Sequence, residues 1–283
     1  MPVQRGILWL LVLLIVGPVV FGSSFVFSDD ALDKTDKLER KKGVSVRLYL
    51  TDEPLPATDP MSSVWQSVPA SEFSLAPQVH WPNRIQEVTV KSVKVRGLHN
   101  GHDLAVLLEY QDPTEDPADA AALEFMVGEK MAHFAHGQKM AQVEGGPVNI
   151  WYWKKENGKA LDMWAKGFKT LRPQDQQDVS ATGVWQDGTW RVVFSRPLKT
   201  QDVNDTQIEP GRWTNVAFAF WDGKIIEGEI KEKGSQKAVS SWWSIRAEPP
   251  PDNSIYGYVL LGIGIAVGFE LVLVRKLRKG QKA

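Results

Sequence analysis

The chain of 283 residues contains no cysteine, and that absence removes several classes of protein at once. No disulfide can staple the fold, no thiol can act as a nucleophile, and an iron–sulfur cluster would find no thiolate here. Histidine is scarce as well, with 5 residues. None falls in a His-Glu-x-x-His arrangement, and His133 and His136, three apart, lack two further recognisable ligands for zinc. The Gly-x-Ser-x-Gly turn of serine hydrolases is missing. Carboxylates are plentiful, so a glycosidase-like acid pair is the one hydrolytic reading that counting leaves standing. A basic excess is also wanting: once the two ends are set aside, the remainder is about six charges negative, which argues against a nucleic-acid partner.

What the sequence has are two long apolar runs, one at each end. Ile7 to Phe21 follows a lone Arg5 and precedes Gly22, Ser23 and Ser24, the pattern of a secretory signal. Gly17-Pro18 would weaken a stable spanning helix, which favours cleavage over retention as an anchor. Ile255 to Val274 is long enough, at about 30 Å as a helix, to cross a bilayer. Tyr256 and Tyr258 stand at its start and Arg275, Lys276, Arg278, Lys279 and Lys282 after its end, so the positive-inside bias puts the tail in the cytoplasm. Glu270 lies one turn from that basic end and can reach the interface or pair with Arg275. The expected organisation is a signal peptide or N-terminal signal anchor over 1–28, a charged arm over 29–44, and a domain over 45–246. A Pro-rich linker over 247–254, a transmembrane helix over 255–274 and a basic cytoplasmic tail over 275–283 complete it. The domain would lie on the periplasmic or extracytoplasmic side of the cytoplasmic membrane, held by one span.

The domain reads as all-β. Val46-Arg-Leu-Tyr-Leu50, Glu87 to Val95, Leu104 to Tyr110, Val184 to Gln186, Trp190 to Phe194, Thr214 to Trp221 and Lys224 to Ile230 alternate or cluster as strands. Asn100-Gly101, Asp187-Gly188 and Asp222-Gly223 supply turns between them. Asp119 to Phe125 reads as a short helix or a further strand. Short strands punctuated by Gly and Asp predict an antiparallel β-sandwich, with loops over Thr51 to Pro60 and Asp112 to Ala118.

The stretch from Met126 to Lys169 holds four of the six methionines and two of the five histidines around Pro147-Val-Asn-Ile-Trp-Tyr-Trp-Lys154. Thioethers, imidazoles and an amine beside indoles suit a buried flat cofactor with a metal, above all haem, held non-covalently for want of cysteine. Plain readings stand beside this one. Methionines fill irregular gaps in a core, and the two histidines suit a surface loop. Trp151 and Trp153 share one face of a strand, where they could be core or a platform for stacking carbohydrate.

The order of motifs carries more than any single one. Leu98-His-Asn-Gly101, Leu107 to Tyr110, Gln111-Asp-Pro-Thr114, Asp119 to Phe125, Gly146-Pro-Val-Asn-Ile-Trp-Tyr-Trp-Lys154, Ala165-Lys-Gly-Phe168 and Trp190 to Leu198 succeed one another. Over roughly residues 45 to 245 the series resembles the haem b-binding gamma subunits of periplasmic type II dimethyl sulfoxide reductase-like molybdoenzymes. These include ethylbenzene dehydrogenase, selenate and chlorate reductases and nitrite oxidoreductase. The resemblance implies a sandwich with one haem b ligated by methionine and lysine, performing no substrate chemistry. It would pass single electrons between an iron–sulfur beta subunit, beside a molybdopterin alpha subunit, and an external partner such as a cytochrome c or a quinone-linked protein.

Carried onto this sequence, the motif lysine is Lys154, with Lys169 after Ala165-Lys-Gly-Phe168 as the alternative. Opposite it, Met140 keeps the expected chemistry and His136 the expected position. Trp151, Trp153 and Phe168 would wall the pocket, with Asn149 beside them. Of the family's complexes, a nitrite oxidoreductase or nitrate reductase relative suits an anchored subunit. A carbohydrate-binding sandwich, or a purely anchoring one without haem, is the alternative.

Overall fold

The computed structural model describes residues 45–78, 87–134, 139–223, 236–252 and 254–280, with the backbone alone for Met140, Gln236, Ile255 and residues 277–280. The predicted signal, the charged arm, His136 and the strand expected over Lys224 to Ile230 lie outside them. Fourteen strands and two helices run in the order β1 (Val46–Leu50), α1 (Val64–Ser67), β2 (Ser71–Ser74), β3 (Ala76–Pro77), β4 (Ser92–His99), β5 (Asp103–Gln111), β6 (Ala120–Met126), β7 (Val148–Lys154), β8 (Lys159–Ala165), β9 (Arg172–Pro173), β10 (Ser180–Gln186), β11 (Thr189–Pro197), β12 (Trp213–Asp222), β13 (Gln236–Val239), β14 (Trp243–Ala247) and α2 (Ser254–Gly280).

The strands form one ladder, β10-β11-β5-β4-β1-β14-β12-β6-β7-β8-β9, with β2 beside β4 and β13 between β12 and β3. The ladder bends at β1, and its two halves close face to face. Phe220 of β12 meets Tyr110 of β5 at 4.5 Å, Phe218 meets Phe73 of β2 at 5.0 Å, and Trp153 of β7 meets Trp190 of β11 at 5.2 Å. All of these rings are buried. Each stabilises the sandwich by roughly 1.5–3 kcal/mol through the apolar area it removes from water. The all-β sandwich expected from the alternation is therefore borne out. One strand departs from the antiparallel pattern: β1 pairs in parallel with β4 on one side and β14 on the other.

Two turn signals act as the sequence indicates. Asp187 (φ 51°) and Gly188 (φ 74°) join β10 to β11 in the left-handed conformations of a tight hairpin. Between β4 and β5, Gly101 takes φ 90°, and the Asn100 side chain accepts bonds from the backbone N–H groups of His102 and Asp103. The strand expected from Glu87 begins later, at Ser92. Val88 and Val90 keep the alternation and are buried, but pairing with β5 starts only at Val93.

Gly183 of β10 lies directly beneath the ring of Trp153, so that any Cβ there would overlap the indole. Gly183→Ala is expected to destabilise the domain by about 1–3 kcal/mol through overpacking. A thermal melt followed by tryptophan fluorescence should show the midpoint falling by several degrees. An unchanged midpoint would mean that the two halves are not held in register there.

Candidate cofactor face of the sheet

β7 divides its residues between two surfaces. Asn149, Trp151 and Trp153 point into the sandwich and are buried. The Trp151 indole N–H donates to Asn149 Oδ1 at 2.9 Å, Phe125 packs at 4.5 Å, and the Arg196 guanidinium sits 5.2 Å above the ring. Asn149 Nδ2 in turn donates to Asp162 Oδ1 and to the Met163 carbonyl. These three residues thus belong to the packed interior, against Trp190 and Arg196 of the opposite half of the sandwich.

Lys154 closes the same strand on its outer surface. Its ammonium is 2.6 Å from Glu156 Oε2, and that hydrogen bond and charge push its pKa above the usual lysine value. A pinned ammonium has no lone pair to offer a metal. Phe168 and Lys169 stand exposed after β8, Lys169 at φ 63° with its Nζ 5.5 Å over the Phe168 ring. β8 pairs Lys159 with Lys154 and Ala165 with Val148. Lys154 and the Phe168–Lys169 turn are therefore at opposite ends of the hairpin, about 20 Å apart at 3.3 Å per residue. The structure brings Asn149, Trp151 and Trp153 together, but not with Lys154 or with Phe168 and Lys169.

The outer surface has a different composition. Across the strands, Lys237, Trp221, Ala120 and Lys154 form one row, and Val239, Ala219, Ala122, Tyr152 and Leu161 the next. Ala217, Glu124, Ile150 and Met163 form a third. The centre is a floor of four alanines, which remain 0, 2, 2 and 7 % exposed at Ala120, Ala122, Ala217 and Ala219 although they face away from the sandwich interior. Half-buried Trp221, Tyr152, Ile150, Leu161 and Met163 ring them. Tyr152 meets Trp221 edge-on at 5.4 Å, and the Lys237 Nζ lies 4.9 Å over the Trp221 ring.

Besides Lys154 at the edge, Lys237 and Glu124 bring charge onto this apolar surface. Burial pushes the Lys237 amine below its usual pKa, with the Glu124 carboxylate offsetting part of the shift. Burial pushes Glu124 up, and Lys237 holds it back. A desolvated amine over an aromatic wall, above a flat apolar floor, meets the two demands of a lysine-ligated planar cofactor: a site shaped for a ring and a lysine able to lose its proton.

Sequence reasoning missed Lys237. It follows Lys231, Glu232 and Lys233 and reads as part of a solvated charged run. Its half-buried place opposite Trp221 comes from the strand pairing. Glu124 did carry a visible signal, a single charge inside Ala120-Ala-Ala-Leu-Glu-Phe-Met126. For Met140 the backbone lies in a 3₁₀ turn over Met140–Gln142. The loop leading toward it docks through the Trp242 indole N–H, which donates to the Ala132 carbonyl, and through Phe134, stacked 5.3 Å from Trp242.

The sequence profile of the ethylbenzene dehydrogenase family matches residues 168–233. Three curated proteins match along most of the chain. A protein of Haloferax mediterranei described as a respiratory nitrate reductase haem subunit is 27% identical, covering 78% of this chain and 80% of its own length. The chlorate reductase gamma subunit of Ideonella dechloratans is 29% identical, covering 67% and 80%. The dimethylsulfide dehydrogenase gamma subunit of Rhodovulum sulfidophilum is 29% identical, covering 69% and 78%. Among solved structures, a family 9 carbohydrate-binding module from Caldicellulosiruptor kristjanssonii bound to glucose overlays with a TM-score of 0.43 at 10% identity. It covers 73% of this chain and 98% of that one, a likeness too loose to carry any ligand across. The order of motifs read from the sequence and these matches point the same way, to the gamma subunits of the type II dimethyl sulfoxide reductase-like molybdoenzymes as what this chain resembles.

Proposed function

We propose that this chain is the non-catalytic, haem-carrying electron-transfer subunit of a molybdoenzyme complex. The observation that carries the reading is the outer face of β12, β6 and β7, where an alanine floor is rimmed by Trp221, Tyr152, Ile150 and Met163 and overlooked by the desolvated Lys237. The cofactor is one haem b, which supplies a one-electron couple. Lys237 would hold it through its amine in place of the pinned Lys154 or the exposed Lys169, with Met140 or His136 as a second ligand. Trp151 and Trp153 would back this face from within the sandwich. Their burial also removes the two indoles that motivated a carbohydrate-stacking platform.

The partners of this reading are an iron–sulfur beta subunit and a molybdopterin alpha subunit, in a complex of the nitrite oxidoreductase or nitrate reductase kind. A cytochrome c or quinone-linked protein would be the external acceptor or donor. Tyr256–Lys276 within α2 is long and apolar enough to cross a membrane, with a mean hydropathy of 2.2. It would tether the domain to the outer, periplasmic surface after removal of the N-terminal signal.

The purified full chain, reconstituted with haem, is expected to give a b-type α-band in a reduced-minus-oxidised spectrum at one haem per chain. Absence of that band overturns the reading. Lysine must remain deprotonated to bind a metal, so acid should convert the low-spin spectrum to a five-coordinate or lysine-free form, and base should restore it. A spectrum unchanged between pH 5 and pH 9 would count against an amine ligand of ordinary lability.

A further inference from the structure

Away from the outer face, three carboxylates converge inside one end of the sandwich. Asp112 follows β5, Asp119 precedes β6 and Asp222 closes β12; all three are buried, and one oxygen from each lies within 4.8 Å of the others. Two oxygens bound to a common ion at 2.3–2.6 Å are at most about 5 Å apart, so the spacing is that of ligands sharing a cation.

Hydrogen bonds orient the three groups. Asp119 Oδ2 accepts from the Asp116 backbone N–H at 2.7 Å and the Trp190 indole N–H at 3.1 Å, and its Oδ1 accepts from the Gly223 N–H at 2.7 Å. Asp222 Oδ2 accepts from Thr89 Oγ1, and Asp112 Oδ1 from the Thr114 N–H at 3.3 Å. Among the described residues, no lysine, arginine or histidine forms an ion pair with Asp112 or Asp119.

Two buried atoms at this place have no partner, Asp112 Oδ2 and the Tyr110 hydroxyl, on residues 0 and 2 % exposed. Buried polar groups are rarely left unsatisfied, and a carboxylate oxygen among other carboxylates is a costly one to leave. Burial, then the charges of Asp119 and Asp222, push Asp112 up to about 7. Burial raises Asp119, and burial followed by the charges of Asp119 and Asp112 holds Tyr110 well above its usual value.

We propose that Asp112, Asp119 and Asp222 bind a hard divalent cation of the calcium type, with Asp112 Oδ2 as the ligand atom left free for it. An all-oxygen set without thiolate or imidazole favours Ca²⁺, Mg²⁺ or Mn²⁺ over zinc or copper, and the irregular loop Asp112–Asp119 suits the flexible coordination of calcium. The ion would tie that loop to the end of β12. This assignment stands whether or not the outer face carries haem.

The test uses the full chain in detergent, stripped with EGTA and then desalted. Tb³⁺ should give saturable luminescence on tryptophan excitation, because the Trp190 indole touches Asp119, and Ca²⁺ should compete it away more effectively than Mg²⁺. Calcium alone should raise the melting temperature above that in EGTA. Asp112→Asn and Asp222→Asn should weaken Tb³⁺ binding at least tenfold. In EGTA, Asp112→Asn should be no less stable than the parent, since it removes a buried like charge; in calcium it should be the less stable of the two. The proposal falls if Tb³⁺ gives no saturable signal and calcium leaves the melt unchanged. It also falls if Asp112→Asn is destabilised equally in EGTA and in calcium, which would make the carboxylate purely structural.

Discussion

Replacing Lys237 by alanine should abolish six-coordinate haem binding, whereas Lys154→Ala should leave the spectrum and the haem content intact. The contrast follows from what surrounds each amine. Lys154 is held as an ammonium by Glu156 at 2.6 Å at the exposed end of β7, and breaking that contact costs little because surface pairs contribute about 0–1 kcal/mol. Lys237 is desolvated over the Trp221 ring, which favours the neutral amine that can donate to iron. Partners outside the first coordination sphere of a metal are typically worth roughly 10–100-fold in affinity, and the ligand itself should be worth at least that. The measurement is haem stoichiometry with a low-spin spectrum for each variant, circular dichroism confirming the fold. Haem retained in Lys237→Ala and lost in Lys154→Ala would reverse the assignment. Glu124→Gln, which keeps the shape and removes the neighbouring charge, should ease deprotonation of Lys237 and carry the acid transition of the haem spectrum to lower pH.

The largest expected loss of stability comes from Arg196→Leu. The Arg196 side chain is wholly buried, with Nη2 3.5 Å from Asp205 Oδ2, Nη1 donating to Asn149 Oδ1 at 3.3 Å, and its plane over Trp151. Gln174 Nε2 bridges Asp205 and Asp162, so one guanidinium answers two buried carboxylates. Removing it leaves both uncompensated, at a cost of about 3–5 kcal/mol. For a domain of this size that is a fall in melting temperature of about 6–20 °C. The deficit should depend on pH. Burial already raises Asp162 to about 6, so its charge disfavours the folded state progressively as pH rises from about 4 through 6. Without Arg196 that penalty grows, and the gap between variant and parent should be wider at pH 8 than at pH 5. Melts at the two pH values decide it; a gap that is constant, or under about 2 °C, would remove Arg196 from its central role.

How much of this was legible in the sequence depends on the range of the interactions involved. Local turn chemistry was readable: Asp187-Gly188 can take positive φ at two successive positions, and the hairpin follows. Ala120 to Met126 was ambiguous because alanine and leucine favour helices. Its strand state is imposed from both sides, by β12 and β7, a tertiary override that no local window contains. The alternation of Trp151 and Trp153 showed that they share a face but not which face. That choice was settled by partners far along the chain, Trp190 and Gly183 for Trp153 and Arg196 for Trp151. Motif order pointed to the same kind of protein as the matched relatives, and Asn149, Trp151 and Trp153 of its Pro-Val-Asn-Ile-Trp-Tyr-Trp stretch lie in the interior. Lys237 stayed hidden for the same reason, since its desolvation depends on Trp221 and Glu124 and on nothing adjacent to it.

The position of β1 constrains how the domain can be made. Val46 is in register with Ile245 and Leu48 with Gly97, so β1 is the seam joining the two halves, and its second partner is the last strand before α2. A chain emerging N-terminus first would therefore present an open, unpaired edge on β1 until almost the whole domain had emerged. Closing such a seam spans nearly 200 residues, the kind of long-range pairing that makes β-proteins slow folders and leaves sheet edges open to aggregation meanwhile. By then α2 is the next segment to arrive, so in the tethered arrangement proposed above the final closure of the sandwich and the entry of α2 into the bilayer would fall at nearly the same moment.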